Sequence, residues 1–584
     1  MFGRMKSIED NILILENLEK DMKANYINYH VIFEEVERKI VGEIIGITED
    51  EIKILLVGEI IEDNFYSGVS KKPHFTTIPR IIYKSEVELF LGNQDRSNRD
   101  SLLIGKSNVY DNFVVSTDLN NFFSNHFAII GNTGSGKSCG VARIIQNLFT
   151  DNKDDVPTNS HIIIFDVYGE YNQAFENLNN INNVGFKSFT TQTNLEEGEI
   201  LNLPAYFLDV DDLALLLNAT SPSQLPIIDK AIKLVYIFKG TNQTMQEYKN
   251  DIIASAILDI LSSGKNSTQI RDQVVAVLSH YNTNTLNLNT EITQPGYSRT
   301  IRQCLNIDQQ GKMNSVQFVV DFLSQYRRLD LSSIKINSQI TYDLDDLYYA
   351  FEFALISEGI LNSEKVYDEL NQLKVRLQQI INSDNKIFFK PTNERISKED
   401  YIKDLFDGDK KRQIINMNLN YIDERFAKTL TKIYTKMFFD FATRLENRAT
   451  YPIHIILEEA HRYIQNDEDV NVLGYNIFDR ITKEGRKYGV LLGLITQRPS
   501  ELSSTALSQC SNFLVFRLFH PDDIKIIENI SSNINIELIE KVKSLSPGTA
   551  LAFGVAFKLP IVATLMLPEP MPHSTSVNIK STWF

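Results

Sequence analysis

The stretch His126-Phe-Ala-Ile-Ile-Gly-Asn-Thr-Gly-Ser-Gly-Lys-Ser138 decides the fold, because an apolar strand runs directly into GNTGSGKS, a full Walker A pattern. Glycines at this spacing let consecutive backbone N–H groups turn inward around a phosphate. The Lys137 ammonium then reaches the β- and γ-oxygens, and the Ser138 hydroxyl ligates Mg²⁺. Val141 to Phe149 has helical spacing, so the positive end of its dipole faces the same anion. The run Gly131, Asn132, Thr133, Gly134, Ser135, Gly136, Lys137, Ser138 and Cys139 is therefore read as an ATP-binding loop. The alternative is a ligand-free glycine-rich turn between strand and helix. The order of strand, loop, Lys-Ser and helix argues for the phosphate loop.

The rest of the chain must supply a scaffold for such a loop. At 584 residues it holds about three or four domains by length. Hydrophobic residues at 43% and charged residues at 23% are near the average for globular proteins, which excludes wholesale disorder. The net charge of −16, from 59 basic and 75 acidic residues, excludes a duplex-coating surface. A nucleic-acid partner would then meet only a local lining such as a pore. The three cysteines, Cys139, Cys304 and Cys510, have no metal-ligand spacing, which fits a reducing cytoplasm and argues against a disulfide frame or zinc site. No apolar run approaches the ~20 residues of a membrane span, the longest being strand-length Gly489 to Ile495. The opening Met-Phe-Gly-Arg-Met-Lys leads into acidic residues and not an apolar signal core, so a cytoplasmic protein without membrane association is expected.

Short alternating or apolar runs between residues 28 and 105 predict strands at His30–Glu35, Ile40–Ile47, Glu51–Val57 and Val87–Leu91, together a small β-barrel over 1–105. A helical run from Ile8 to Lys23 is expected before it. The buried strands Ala128–Ile130 and His161–Asp166 flank one helix, which marks an α/β sheet over 106–208. Helix-length periodicity, as in Met245–Leu261 and Val366–Ile381, predicts an all-helical insertion over 209–385. The α/β pattern resumes over 386–570 with strands at Gln413–Leu419, Ile453–Leu457, Val490–Ile495 and Phe513–Phe516, a helix from Arg425 to Asn447, and a closing hairpin. A Pro-rich extended tail follows over 571–584.

Three further constellations carry chemistry. Ile453-His-Ile-Ile-Leu-Glu-Glu-Ala-His461 has the form of a Walker B strand, in which Glu459 orients the attacking water and Glu458 holds Mg²⁺, directly or through water. An ordinary strand ending in Glu-Glu is the plain alternative. Asp479 to Gly489, read as a helix ending at Gly485, precedes Val490 to Ile495 and then Thr496-Gln497, which places Gln497 where ligands sit in an open α/β sheet. Gln497 is the candidate γ-phosphate sensor. Arg486 or Arg480 is the candidate arginine finger for a neighbouring subunit, against the plain reading of solvated helix arginines. Asp166-Val-Tyr-Gly-Glu-Tyr171 offers Asp166 and Glu170 to Mg²⁺-linked water or to a neighbour's finger, against an Asp-capped turn. Lys410-Lys-Arg412 is a candidate pore-lining cluster, against a solvated turn.

The order of these motifs resembles the HerA branch of the HerA–FtsK ATPases. The resemblance rests on His126 before the P-loop strand, Gly131 to Ser138, Asp166 to Tyr171, Glu459-Ala-His461, Gly485 to Gly489 and Thr496 to Ser500. It implies an α/β fold: a RecA-like P-loop ATPase core with a small N-terminal barrel of the HAS type and an inserted helical bundle. It further implies ATP and Mg²⁺ as ligands and a hexameric ring that pumps or unwinds double-stranded DNA through a central pore. The implied partner is a nuclease or, in anti-phage defence, a sirtuin-type effector. Two residues depart from the family pattern: Glu458 stands where Asp is usual, and Asn125 stands where archaeal relatives often carry an arginine, so Arg486 is the expected finger. Two other readings remain open, an ATPase ring that scaffolds and regulates its effector with DNA movement secondary, and a monomeric nucleotide switch.

Overall fold

The computed structural model describes residues 2–583 apart from 20–25, 93, 95–97, 112, 152–154, 195–197, 328–339, 359–363, 393, 409, 466–468, 531–533, 535 and 574–578. It divides into two compact units, one of Met1–Glu199, Glu399–Asp467 and Asn476–Phe584, the other of Ile200–Lys398 with Glu468–Tyr475.

The first unit opens with β1 (Phe2–Glu9), β2 (Ile12–Asn17), β3 (His30–Glu34), β4 (Lys39–Ile47), β5 (Glu51–Ile61), β6 (Asn64–Ser67) and β7 (Arg80–Ile81). They form an antiparallel sheet of order β1-β2-β5-β4-β3-β7, with β6 on β5. Alternating side chains bury Leu13, Leu15, Ile52, Ile54 and Leu56 against Val31, Phe33, Ile40 and Ile44, as expected of a sheet with one dry face.

Two sequence expectations fail here. The helix expected over Ile8–Lys23 is the β1–β2 hairpin as far as Asn17, turned at Asp10 with φ +50°, and Lys20 to Lys23 lie outside the described residues. Pairing with β5 buries alternate residues of β2, and that tertiary gain overrides a pattern that a helix also satisfies. Val87–Leu91, expected as a strand, is the end of the helix Lys84–Leu91. Glu86 accepts the Tyr83 N–H at 3.0 Å as an N-terminal cap, and Val87, Phe90 and Leu91 are buried at helical spacing.

The large sheet contains β8 (Ser101–Ser107), β9 (Val114–Asp118), β10 (Phe127–Ile130), β11 (His161–Asp166), β12 (Phe186–Thr190) and β13 (Glu199–Ile200). After the hairpin β14 (Glu291–Gln294) and β15 (Tyr297–Thr300) of the other unit, it continues with β16 (Ile414–Asn418), β17 (Ile453–Leu457), β18 (Val490–Thr496), β19 (Asn512–Val515), β20 (Thr549–Gly554) and β21 (Ile561–Thr564). The order is β13-β12-β16-β11-β17-β18-β10-β19-β20-β21-β8-β9. From β12 to β19 neighbouring strands are parallel, and from β19 to β9 they are antiparallel. Every residue of β10, β11, β18 and β19 is buried, which explains their continuous apolar runs. The protein is thus α/β with mixed sheets. Among the described residues, no helix is long and apolar enough to cross a membrane.

The second unit is built mainly of helices, including Leu225–Lys239, Gln243–Leu261, Ser267–His280, Leu344–Glu358 and Glu364–Ile381. Phe238, Tyr281 and Phe353 pack edge-on or tilted in its core, with centroids 4.9–5.6 Å apart. It is not all-helical, because β14 and β15 form a hairpin. It also reaches past the expected limits of 209 and 385. The Leu203 N–H donates to the Phe388 carbonyl at 2.7 Å, and the Tyr206 and Thr392 hydroxyls are 2.7 Å apart, so both flanks belong with the helices.

Candidate active site at the carboxyl end of the parallel strands

Parallel register fixes which residues meet. Ile130 is level with Thr496 and with Val515, Leu457 with Leu494 and Phe165, and Asp166 with Asn418. The phosphate loop after β10, Gln497 after β18, Glu458-Glu459 after β17 and the turn after β11 therefore leave the sheet on one edge, where open α/β sheets bind ligands. Strand β18 lies between β10 and β17, so Gln497 stands between the loop and the carboxylates.

The loop is held by its own backbone. The Gly131 N–H donates to the Thr496 carbonyl at 3.1 Å, the Asn132 N–H to Arg517 at 2.9 Å, and the Ser135 N–H to Asn132 at 3.1 Å. Gly136, at φ +103°, begins the helix Lys137–Thr150 in a conformation that side chains disfavour. A Cβ there would stand 2.8 Å from the Gly548 nitrogen. Gly136→Ala is expected to cost roughly 1–3 kcal/mol of stability and to weaken nucleotide binding; denaturation and fluorescent-nucleotide titration read both, and wild-type values would show that the loop tolerates the change.

Lys137 is 9% exposed and its Nζ donates to the Asn132 carbonyl at 3.2 Å. Burial depresses its pKa, and the charges of Glu459, Glu458 and Glu170 oppose that depression. Burial pushes the Glu458 carboxyl well above the usual range, and Asp166, charged and hydrogen-bonded to it, pushes further. Glu459 is raised by burial against the lowering effects of Lys137, Arg462 and the Gln497 N–H. Glu170 is raised by burial and lowered by its hydrogen bond from Ser138. Glu459 sits at φ +48°, ψ +49°, a left-handed backbone in a residue with a Cβ, and such conformers gather where a site holds them. Among the described residues, Ser135 Oγ, Glu458 Oε2 and Glu459 Oε2 are buried without a hydrogen-bond partner, which marks a cradle built for a polar guest.

Residues 102–318 match the family model described as "Helicase HerA, central domain". The chain is 23% identical over 488 residues to the DNA double-strand break repair helicase HerA of Pyrococcus furiosus, covering 83% of this chain and 72% of that one. It is 24% identical over 583 residues to the probable DNA double-strand break repair helicase HerA of Methanocaldococcus jannaschii, covering 97% and 95%. The chain is an ATPase similar to the HerA helicases. Among solved structures, VirB4 of Thermoanaerobacter pseudethanolicus aligns with a TM-score of 0.40 and 11% identity over 80% of this chain and 96% of that one.

Several motif residues have local roles. Asp166 accepts the N–H groups of Gly169, Glu170 and Tyr171 at 2.8–3.1 Å and the Asn416 amide at 3.2 Å, so it holds the turn that presents Glu170. His126 Nδ1 accepts the Leu492 N–H at 2.9 Å, tying β10 to β18, and burial lowers its pKa to about 4. Gln497 accepts from the Thr133 hydroxyl. The helix expected to end at Gly485 runs Ile477–Tyr488 and closes at Gly489 with φ +82°. Arg486 is exposed on its last turn, before the seven-residue β18, whose length separates it from the loop edge by about 20 Å within one chain. Arg480 pairs with Glu484 at 3.6 Å and covers the Phe439 ring. Lys411 donates to Asn159 and Arg412 to the Asp404 and Leu405 carbonyls. Both sit before β16, at the amino edge of the sheet.

Sequence reasoning missed Arg462, whose guanidinium donates to the Tyr168 hydroxyl at 3.0 Å and covers its ring at 5.3 Å. Its place directly after Glu459-Ala-His461 was a usable signal. Thr496 also takes a role that its place in the sequence does not give: its hydroxyl accepts the Arg498 N–H at 3.0 Å and contacts His461.

Proposed function

We propose that this ATPase binds ATP with Mg²⁺ in the Gly131–Cys139 loop and uses hydrolysis, as a hexameric ring in the cytoplasm, to move double-stranded DNA through a central pore. The carrying observation is the convergence of Lys137, Glu459 and Gln497 on the edge from which the phosphate loop emerges. The relatives named DNA double-strand break repair helicases support DNA as the track. Ser138 and Glu458 would hold Mg²⁺, whose charge would neutralise the phosphate oxygens. Mg²⁺ at such sites is usually bound by one or two protein groups with phosphate and water completing its shell. Glu459 takes the proton of the attacking water, Lys137 balances charge, Gln497 orients, and Glu170 with the Asp166 turn closes the side near Ser138. Arg486, on the opposite edge within one chain, would serve a neighbouring subunit's site; Arg480 is the alternative. The N-terminal sheet corresponds in this reading to a small barrel, and the helix-rich unit to an inserted bundle.

A partner nuclease or sirtuin-type effector, with a role in DNA end processing or anti-phage defence, completes the proposal. A second reading makes the ring a scaffold that regulates that effector. It is favoured by the net charge of −16 and by the local bonding of Lys411 and Arg412. The discriminating measurement is ATP turnover by the purified protein with and without duplex DNA, together with electron micrographs. Rings whose turnover rises several-fold with duplex support the motor. Rings indifferent to duplex that activate an effector support the scaffold, and monomers with ATP overturn both.

A further inference from the structure

We propose that His461 is a positioning residue for Glu459, fixing the orientation of its carboxylate from the end of strand β18. The inference rests on the reading of Glu459 as the hydrolytic base. His461 follows Glu459 by two residues in the single turn Ala460–Arg462 and is 7% exposed. Its Nδ1 lies 3.1 Å from Thr496 Oγ1 and 3.3 Å from Glu459 Oε2.

Burial lowers the pKa of the ring, with Glu501 and Glu424 acting against that shift and Arg462 and Arg498 adding to it. A neutral imidazole carries one proton, and its neighbours decide which nitrogen holds it. With the proton on Nε2, the Nδ1 lone pair would face a carboxylate oxygen 3.3 Å away. With the proton on Nδ1, the N–H lies between the threonine hydroxyl and the carboxylate and attracts both. Thr496 Oγ1 already accepts the Arg498 N–H, and its second lone pair is free to accept from His461.

Thr496 is fully buried as the last residue of β18, so it is a fixed anchor. Glu459 Oε2 has no formal hydrogen-bond partner among the described residues, and His461 Nδ1 is 3.3 Å from it. The left-handed backbone of Glu459, disfavoured for a residue with a Cβ, is held by the turn that also carries His461. One end of the carboxylate is thus steered by His461 and the other by the Gln497 N–H, both referred to the same strand end. Small angular errors at a base cost rate without changing ground-state binding.

The test compares His461→Phe, which keeps ring volume without an N–H, with His461→Asn, whose amide can place an N–H where Nδ1 stands. Each full-length variant is measured for ATP turnover, for the Kd of the non-hydrolysable analogue AMP-PNP, and for thermal midpoint. H461F is expected to lower kcat by about 10–100-fold with the AMP-PNP Kd within about 2-fold of wild type, while H461N recovers most of the loss. Should H461F not fold, H461Q, whose amide reaches the Nε2 position instead, takes its place with the same expectation. An unchanged kcat in H461F, equal losses in H461F and H461N, or an AMP-PNP Kd that rises several-fold as kcat falls would each overturn the assignment. Failure of the underlying reading has a different signature, because Glu459→Gln would then hydrolyse ATP.

Discussion

Replacing Glu459 with Gln is expected to lower kcat for ATP hydrolysis by about 10²–10⁴-fold, the range of a positioned general base, and to leave ATP binding intact. The amide keeps the size and the hydrogen bond from Gln497 but cannot accept a proton from water. Glu459 is the buried carboxylate with Lys137, Arg462 and the Gln497 N–H drawn around it. Glu458 shares its hydrogen bonding with Asp166 and is held well above the usual carboxylate range by burial, so it is poorly suited to act as the base. The same geometry sets a pH signature. A base must be ionised to act, and the pKa of Glu459 is raised, so the acidic limb of the kcat profile should lie above the ordinary carboxylate range and activity should grow as pH rises through it. Single-turnover rates of wild type and E459Q across pH check both points. Near-normal hydrolysis by E459Q would transfer the role to Glu458 or Glu170.

The second large effect is expected from Lys137→Ala, which should weaken nucleotide affinity by about 10²-fold, the scale of a lost charge-assisted hydrogen bond to phosphate. Two consequences combine. The phosphates lose their ammonium, and Glu170, Glu458 and Glu459 lose the cation that acts on each of them. Without it the carboxylates repel an incoming anion and hold protons more tightly. Calorimetric titration with ADP and AMP-PNP would show the loss. Unchanged affinity with hydrolysis abolished would instead confine Lys137 to the transition state.

Which parts of this were legible in the sequence follows from how local each signal is. The phosphate loop, its flanking strand and helix, and the carboxylates after β17 are each written in a contiguous stretch with one dominant period. The buried strands β10, β11, β18 and β19 are largely continuous apolar runs for the same reason. The β1–β2 hairpin and the helix Lys84–Leu91 are not legible in the sequence because their apolar spacing fits either period over so short a length. Pairing with β5 settled the first, and the Glu86 cap with burial of Val87, Phe90 and Leu91 settled the second.

By itself, the sequence determined that the chain carries a phosphate-loop motif and a strand-terminal carboxylate pair in an α/β frame, since glycine spacing and strand-terminal charge are properties of neighbours along the chain. Only the tertiary structure decided the duties of the individual side chains. Strand order put β18 between β10 and β17, and that single fact brought Thr496, Gln497, His461 and Glu459 together across separations of up to 38 residues. It also gave Asp166 to a turn, His126 to a strand junction and Arg486 to the far edge of the sheet. Hydrogen bonds of about 3 Å between distant residues depend on register and crossover, which no run of residues encodes alone.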